Sequence, residues 1–371
     1  MAQLAIPTAL LRQAQTVADG FASRTAVAVD AAELLTGRAA LLDIAPRGQV
    51  SAGEATRLLP TRDRWCALTL SRPDDIDAIP ALLQCDSVHA DPWQEIKCWA
   101  AETGAAEVAE RARLLGLPVA VLGETAPARP VVKPLGPRRA APLSGALVAD
   151  LSSMWAGPLC GQLLARAGAT VVKVESRDRS DGTRAGPPEF FDWMNGGKLS
   201  YAVDFEEPHD LAALIRVADV VIEASRPVAL ARRGLGPGAA AAPRPGQIWL
   251  RITGHGASGE QAGWVAFGDD AAVSGGLVEY ECGTPIFVGD AIADPLTGLH
   301  AAAAVAASRE RGGGELIEFS MAAVAAGYRS PGGDAAVMTP VRPGAGQTGP
   351  QLGADNEAVR RLVAERAETP C

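Results

Sequence analysis

Residues 148–176 read VADLSSMWAGPLCGQLLARAGATVVKVES, and this stretch decides the fold. Residues 146–151 form a short apolar run, 156–167 place Leu159, Leu163 and Leu164 on one helical face, and 170–175 (TVVKVE) are rich in β-branched residues. An apolar run, a helical period and a second apolar run make a βαβ unit, whose parallel strands are covered on both faces. The alternation continues downstream, with strands expected at 199–205, 219–223, 247–253 and 315–320 and helices at 209–217, 228–233, 295–309 and 321–328. The expected class is α/β, with a large Rossmann-like parallel-sheet domain and a smaller α+β domain ahead of it.

Two Pro/Gly/Arg-rich stretches, 126–144 (APARPVVKPLGPRRAAPLS) and 328–353, read as linkers or surface crossings. They divide the chain into a small α+β domain at 1–125, a linker at 126–144, a large α/β domain at 145–328, and a linker with a C-terminal helix at 329–371 that returns to the large domain. Within 1–125, helices are expected at 30–42 and 105–115, the second stopped by Gly116, and a strand at 65–70 (WCALTL), followed by a polar break at 72–75 and a further helix.

A chain of 371 residues suits two domains, and 48% hydrophobic with 21% charged residues is ordinary for a globular protein. The net charge of -9 argues against nucleic acid as a partner, since phosphates must be met by Lys and Arg. A small phosphorylated ligand needs only a local basic pocket. The cysteines Cys66, Cys85, Cys98, Cys160, Cys282 and Cys371 form no C-x-x-C pair and the histidines are scattered, so neither a metal site nor a disulfide framework is expected. Reduced thiols in a cytoplasmic setting fit best. Residues 1–11 lack the pattern of a signal peptide, and no uninterrupted apolar stretch reaches the ~18 residues of a membrane span.

Four features bear on chemistry. The first is the strand–helix junction at 150–158 (DLSSMWAGP), where Ser152 or Ser153 is expected to cap a helix, with Pro158 in its first turn. Its free N–H groups, beside small Ala156 and Gly157, let an anion approach the backbone, although a plain capped helix accounts for the same residues. There is no G-x-G-x-x-G, so dinucleotide binding by that fingerprint is unsupported. The second feature is Asp294-Pro295-Leu296-Thr297-Gly298. A residue before proline is pushed out of the helical region and proline suits the first helical position, so Asp294 is expected as an N-cap whose carboxylate is kept ionised by the helix's free N–H groups. A structural cap is the ordinary reading of such a residue. The third is Gly268-Asp269-Asp270, read by itself as solvated loop charge. The fourth is the basic set Lys173, Arg177, Arg179, Arg226, Arg232 and Arg233, near the C-terminal ends of expected strands, where open α/β sheets bind ligands. Ordinary surface charge accounts for most of these.

In this order the pieces resemble the family III CoA-transferases, which include formyl-CoA and carnitine CoA-transferases and α-methylacyl-CoA racemase. The resemblance runs over 147–321: the opening βαβ unit with its AGP; MNGGKLSYAVDF, similar to an N-x-x-K-x-S strand; ADVVIEASRPVALARRGLG; IWLRITGHGASG; and VGDAIADPLTGLHAAAAVAASRERGGGELIEFSM, similar to the segment that bears the family's catalytic aspartate. Weaker resemblances, in SAGEATRLLPTRDRWCALTL, AERARLLGLPVAVLGE and the tail QLGADNEAVRRLVAER, imply that the small-domain sequence has moved to the N-terminus, as in a circular permutation.

The resemblance implies a nucleophilic role for Asp294 and an acidic residue near the reaction centre at Asp270. It implies CoA contacts at Met154, Trp155 and Ala156, and a phosphate contact at Arg232. Ser176 stands where transferases can carry a CoA-binding arginine, with Arg177 adjacent, and Asp269 stands at a usually aromatic or histidine position. The implied activity is transfer of CoA from an acyl-CoA donor to a carboxylate acceptor through an aspartyl anhydride and an aspartyl-CoA thioester. No cofactor is permanently bound, coenzyme A entering as substrate, and the implied assembly is a homodimer, interlocked in the family. Loop 47–53 (RGQVSAG) is the expected cover. An acyl-CoA racemase would need two acid/base groups flanking the α-carbon, and the histidine that the family's racemases carry at the Gly-x-Asp motif is missing. A non-catalytic CoA-binding subunit is a third reading, against which the retention of Asp294 speaks.

Overall fold

In the computed structural model, which describes residues 3–89, 91–239, 243–329 and 335–368, the first elements are a strand, β1 (Leu4–Pro7), and two helices, α1 (Thr8–Thr25) and α2 (Ala31–Leu42). Asp30 caps α2 by accepting the Ala32 N–H at 2.8 Å. A small antiparallel sheet follows, of β2 (Thr56–Pro60), β3 (Trp65–Thr69) and, after α3 (Pro73–Asp77), α4 (Ile79–Leu83), α5 (Trp93–Glu102) and α6 (Ala105–Leu114), β4 (Val119–Val121). One face of this sheet buries Leu59, Cys66 and Leu68 against Ile79, Ile96 and Val108 of the helices. The other face turns Leu58 and Ala67 toward the large domain.

The remaining elements are β5 (Val131–Pro134), β6 (Leu147–Leu151), α7 (Ala156–Arg166), β7 (Thr170–Ser176), α8 (Pro188–Asn195), β8 (Leu199–Val203), α9 (His209–Val217), β9 (Val220–Glu223), α10 (Pro227–Ala231) and β10 (Ile248–Thr253). After them come α11 (Gly268–Ser274), the hairpin β11 (Val278–Glu281) and β12 (Thr284–Phe287), α12 (Ala293–Glu310), β13 (Glu315–Ser320), α13 (Met321–Ala326), β14 (Ala335–Met338) and α14 (Asn356–Glu368). The large sheet runs β5-β13-β10-β9-β6-β7-β8, parallel throughout except for β5. From β6 the chain builds outward through β7 and β8, then returns beside β6 with β9 and builds the other way. Such a reversal opens a crevice at the C-terminal ends of the two central strands, the place where doubly wound sheets take ligands. The fold class is α/β, as expected from the alternation.

Three expectations from the sequence change. Residues 131–134, inside the expected linker, are an edge strand paired antiparallel with β13, and 335–338, inside the second, pair with β1. α1 was not anticipated. Most consequentially, residues 4–45 build their core with the large domain. Leu4, Ile6, Leu10, Phe21, Leu34 and Leu35 share one core with Leu159, Leu163, Leu296 and Leu299 of α7 and α12, which places this segment with the large domain and leaves the small one to about residues 46–125. On the opposite face of the large sheet, α14 buries Val359 beside Leu211 and Leu214 of α9. Cys371 lies outside the described residues.

Candidate active site

The turn from β6 into α7 is clamped by two buried ion pairs. Lys198 Nζ donates to Asp150 at 2.8 Å, to the Pro158 carbonyl at 2.9 Å and to Asn195 Oδ1 at 3.0 Å. Lys173 Nζ donates to Asp181 and to the Ser152 carbonyl, both at 2.6 Å, and Asp181 accepts the Met154 N–H at 3.2 Å. Both lysines are fully buried, so Lys173 is not a surface charge free for a ligand. Burial pushes the Asp150 carboxyl up, but the charges of Lys198 and Lys173 outweigh it and hold the group below the ordinary carboxylate range. Held in this way, Met154 takes a left-handed φ of 71°, rare for a side chain of its kind.

Neither serine caps α7. Ser152 bonds Asp150 instead, and the N-cap residue is Trp155, with no side-chain hydrogen bond. The Ala156 N–H is thereby left to another partner, the Asp294 Oδ1 at 3.2 Å. Asp294 itself is not the N-cap of α12. The helix begins at Ala293 with Ile292 as its N-cap, and the Asp294 N–H already donates to the Ala291 carbonyl at 2.9 Å. The carboxylate therefore uses the start of a neighbouring helix rather than its own. Two glycines permit this. A Cβ at Gly298 would lie 2.6 Å from the Ala156 carbonyl, and one at Gly268 would lie 2.3 Å from Asp294 Oδ2. Any side chain at 298 would push α12 off α7, and any at 268 would strike the carboxylate.

The electrostatics also differ from expectation. Asp294 keeps some solvent-exposed surface, but the protein around it pushes its pKa up to about 7, with Asp269 adding to the rise and the Ala156 N–H and Arg38 opposing it. The hydrogen bond alone does not keep it ionised. Asp269, also pushed up to about 7 by burial and then by Asp290, accepts the Ala291 N–H at 3.0 Å and a hydrogen bond from Ser51. Asp290 is fully buried, raised by burial, and paired with Arg38 Nη1 at 2.5 Å.

Asp269 and Asp270 are thus not loop charges: they open α11. Asp270 is sealed from solvent, accepts the Phe267 N–H at 3.0 Å and the Thr69 hydroxyl at 2.8 Å, and is pushed up to about 8 by burial. It forms the capping box of α11 and ties it to the small sheet. The acidic neighbour of Asp294 with exposed surface is Asp269. Ser51 puts loop 47–53 beside the cluster.

The CoA-contact residues expected from the sequence divide by location. Met154, Trp155 and Ala156 line the β6–α7 turn, Met154 being 40% exposed and Trp155 buried against Phe190. Arg177 follows β7 and is exposed, and Arg232 ends α10, also exposed. Ser176 accepts the Asp178 N–H at 3.3 Å. Arg226, three residues after β9 and at the N-cap of α10, lies closer to the crevice in sequence than Arg232 does. Arg233 is engaged with Glu206 and the Phe205 carbonyl. Ser51 falls in the loop expected as a cover, whereas Arg38, Thr69 and Asp290 are not among the residues expected from the sequence. Asp290 sits in the VGDAIADP run itself, and Arg38 is the one cation in the helix AAELLTGRAALL, apolar on nearly every side, a pattern that marks a buried charge. Among the described residues no cluster of His, Cys, Asp and Glu could hold a metal ion, and no helix is long and apolar enough to cross a membrane.

The model of CoA-transferase family III matches residues 143–356. The chain belongs to CoA-transferase family III. It is 34% identical to a succinate–glutarate CoA-transferase of Agrobacterium fabrum over 210 residues, covering 50% of this chain and 52% of that protein. It is 35% identical to the human succinyl-CoA:glutarate CoA-transferase over 181 residues, covering 45% of this chain and 41% of the relative. A crystal structure of a hypothetical protein (Rv3272) from Mycobacterium tuberculosis aligns with a TM-score of 0.45 at 31% identity, over 51% of this chain and 57% of that one. The chain spans about half the length of the curated relatives it matches. The family III match includes Asp269, Asp270, Asp290 and Asp294, whereas Arg38, Ser51 and Thr69 lie outside it.

Proposed function

We propose that this protein transfers CoA from an acyl-CoA thioester to a carboxylic acid, with Asp294 as nucleophile. The observation that carries the reading is the Asp294 carboxylate set on the free Ala156 N–H at 3.2 Å, with part of its surface open to solvent. Acyl-CoA lies along the Met154–Ala156 turn, with Arg177 and Arg232 at its phosphates. An oxygen of Asp294 attacks the thioester carbonyl; the C–S bond breaks, CoA leaves as thiolate, and a mixed anhydride forms. The thiolate attacks the Asp294 carbonyl carbon and expels the donor acid, giving an aspartyl-CoA thioester. The acceptor carboxylate then displaces CoA to form a second anhydride, and the thiolate takes its acyl group and frees Asp294. No net proton is consumed. The Ala156 N–H stabilises the oxyanion that forms at the aspartyl carbon, and a preorganised donor of this kind is worth about 3–4 kcal/mol.

Membership in the family supports this reading, as do the names of the relatives. The protein acts as a homodimer, and its small-domain sequence precedes residue 143 by permutation. Asp270 holds α11 in place rather than touching substrate. The deciding experiment incubates the protein with a panel of acyl-CoA thioesters and searches for a CoA adduct on Asp294 by mass spectrometry. No adduct with any thioester, together with transfer activity surviving in Asp294→Asn, overturns the proposal.

A further inference from the structure

An acceptor acid must reach a site that already holds three carboxyl groups, Asp269, Asp290 and Asp294. The cation that acts on all three is Arg38. It comes from α2, and the fold goes to some length to bring it there. A Cβ at Gly37 would lie 2.6 Å from the Trp193 ring and 2.7 Å from Pro343, so only glycine lets α2 approach this closely. The guanidinium is then fixed on three sides. Its centre lies 5.7 Å from the Trp155 ring and 5.4 Å from the Phe190 ring, and its Nη1 donates to Asp290. Asp290 has no other partner for its second oxygen among the described residues, which identifies its role as holding Arg38.

What remains of Arg38 is unused. Among the described residues its Nε and second Nη make no hydrogen bond to protein, and 23% of the side chain is exposed. The second Nη lies 3.6 Å from the position of a Cβ on Gly53, beneath the 47–53 loop. A guanidinium with a free edge, set within cation–π distance of two aromatic rings and held by a buried acid, matches a carboxylate, which it binds through two parallel N–H donors. Next to Trp155, whose successor supplies the amide that binds Asp294, the bound carboxylate lies beside the reacting group.

We propose that Arg38 is the binding site for the carboxylate of the acceptor acid, and so a specificity-determining residue of the transfer reaction. This rests on the CoA-transfer reading above. Arg38 makes good the charge deficit that the three acids create, and its rigid fork selects a planar carboxylate over a neutral or tetrahedral acceptor.

The test uses the full chain with CoA present and titrates acetate, propionate, succinate and glutarate by calorimetry. At least one acid is expected to bind the wild type. The double variant Arg38→Gln/Asp290→Asn, which removes the cation without leaving a lone buried charge, should bind it at least about tenfold more weakly. Arg38→Lys should recover part of the loss, since it keeps the charge but not the fork, whereas a merely structural arginine would predict no dependence on carboxylate at all. Melting curves establish that the variants are folded. Asp294→Asn keeps Arg38 and should bind the acid at least as well as the wild type while transferring nothing. Absence of binding by the wild type, or equal affinity in the folded double variant, overturns the assignment. Binding through Arg38 without an adduct on Asp294 overturns the nucleophile instead, so the two failures are told apart.

Discussion

The Ala156 N–H meets Asp294 Oδ1 at 3.2 Å, so the start of α7 binds a carboxylate carried by α12. Because the donor belongs to another helix, replacing the carboxylate leaves α12 with its own first turn intact. Asp294→Asn is therefore expected to fold as the wild type does and, since a raised pKa marks a charge that the folded state disfavours, to be at least as stable at pH 7 and at pH 8. CoA transfer should vanish, because an amide forms no anhydride. Thermal melts and a transfer assay on the same preparations check both halves.

Activity should rise with pH. Asp294 attacks as an anion, and its pKa in the free protein is pushed up to about 7 by burial and then by Asp269. The expected kcat/KM for acyl-CoA increases between pH 6 and about pH 8 and then levels. A flat profile over that range, with the enzyme folded, would remove the raised carboxyl from the mechanism.

Stability should run the other way. Asp270, raised to about 8, and Asp269 and Asp294, raised to about 7, hold protons in the folded state that the unfolded chain has released by about pH 4–5. The folded form binds more protons across this window, so its stability falls as pH rises from about 5 to about 8. Melting temperature should be higher at pH 5.5 than at pH 8. Asp270→Asn, which keeps an acceptor for Thr69, should reduce the difference.

Much of the sheet was legible. Residues 209–217 and 315–320 were bounded in the structure as the sequence suggested, because Leu211, Leu214 and Ile215 follow a helical period and ELIEFS is a buried strand between turns. α1 escaped although Leu10, Ala14, Ala18 and Phe21 lie on one face, since alanines give that stripe little contrast. β5 and β14 are four residues each and are strands only by virtue of partners far along the chain.

At the site, Asp294 was legible as a helix-start carboxylate, but which helix would bind it depended on Gly298 and Gly268 letting two elements close to contact. Asp269 and Asp270 looked like loop charge because their burial is supplied by Ser51 and Thr69, some two hundred residues earlier. Arg38 had a local signal, but its partners Trp155, Phe190 and Asp290 lie more than a hundred residues further along the chain.

Packing at Gly298 gives a fourth prediction. Gly298→Val must move the Ala156 carbonyl or α12, since even a Cβ would sit 2.6 Å from it. Overpacking of this kind costs about 1–3 kcal/mol, and the Ala156–Asp294 hydrogen bond is the contact that opens. Turnover is expected to fall by more than an order of magnitude; fluorescence-monitored unfolding measures the stability loss separately.

The clamp beneath the turn gives a fifth. Lys198→Met leaves Asp150 buried without its cation and should cost about 3–5 kcal/mol. Adding Asp150→Asn should restore a substantial part, because the neutral pair leaves no unpaired charge. Urea unfolding of the wild type, the two single variants and the double completes the cycle.

Residues 4–45 share the large domain's core, and the chain enters that domain again at β5, so the small sheet is an insert with both ends moored to the same body. An insert moored twice does not hang on a single tether, and the hydrogen bond from Thr69 to Asp270 fastens it at a further point. Severing one crossing would leave the halves joined through the other and through the contact of Leu58 and Ala67 with Val273 and Phe287. A protease cut near residue 46 or 126 should therefore yield a nicked protein that still migrates as one particle under native conditions.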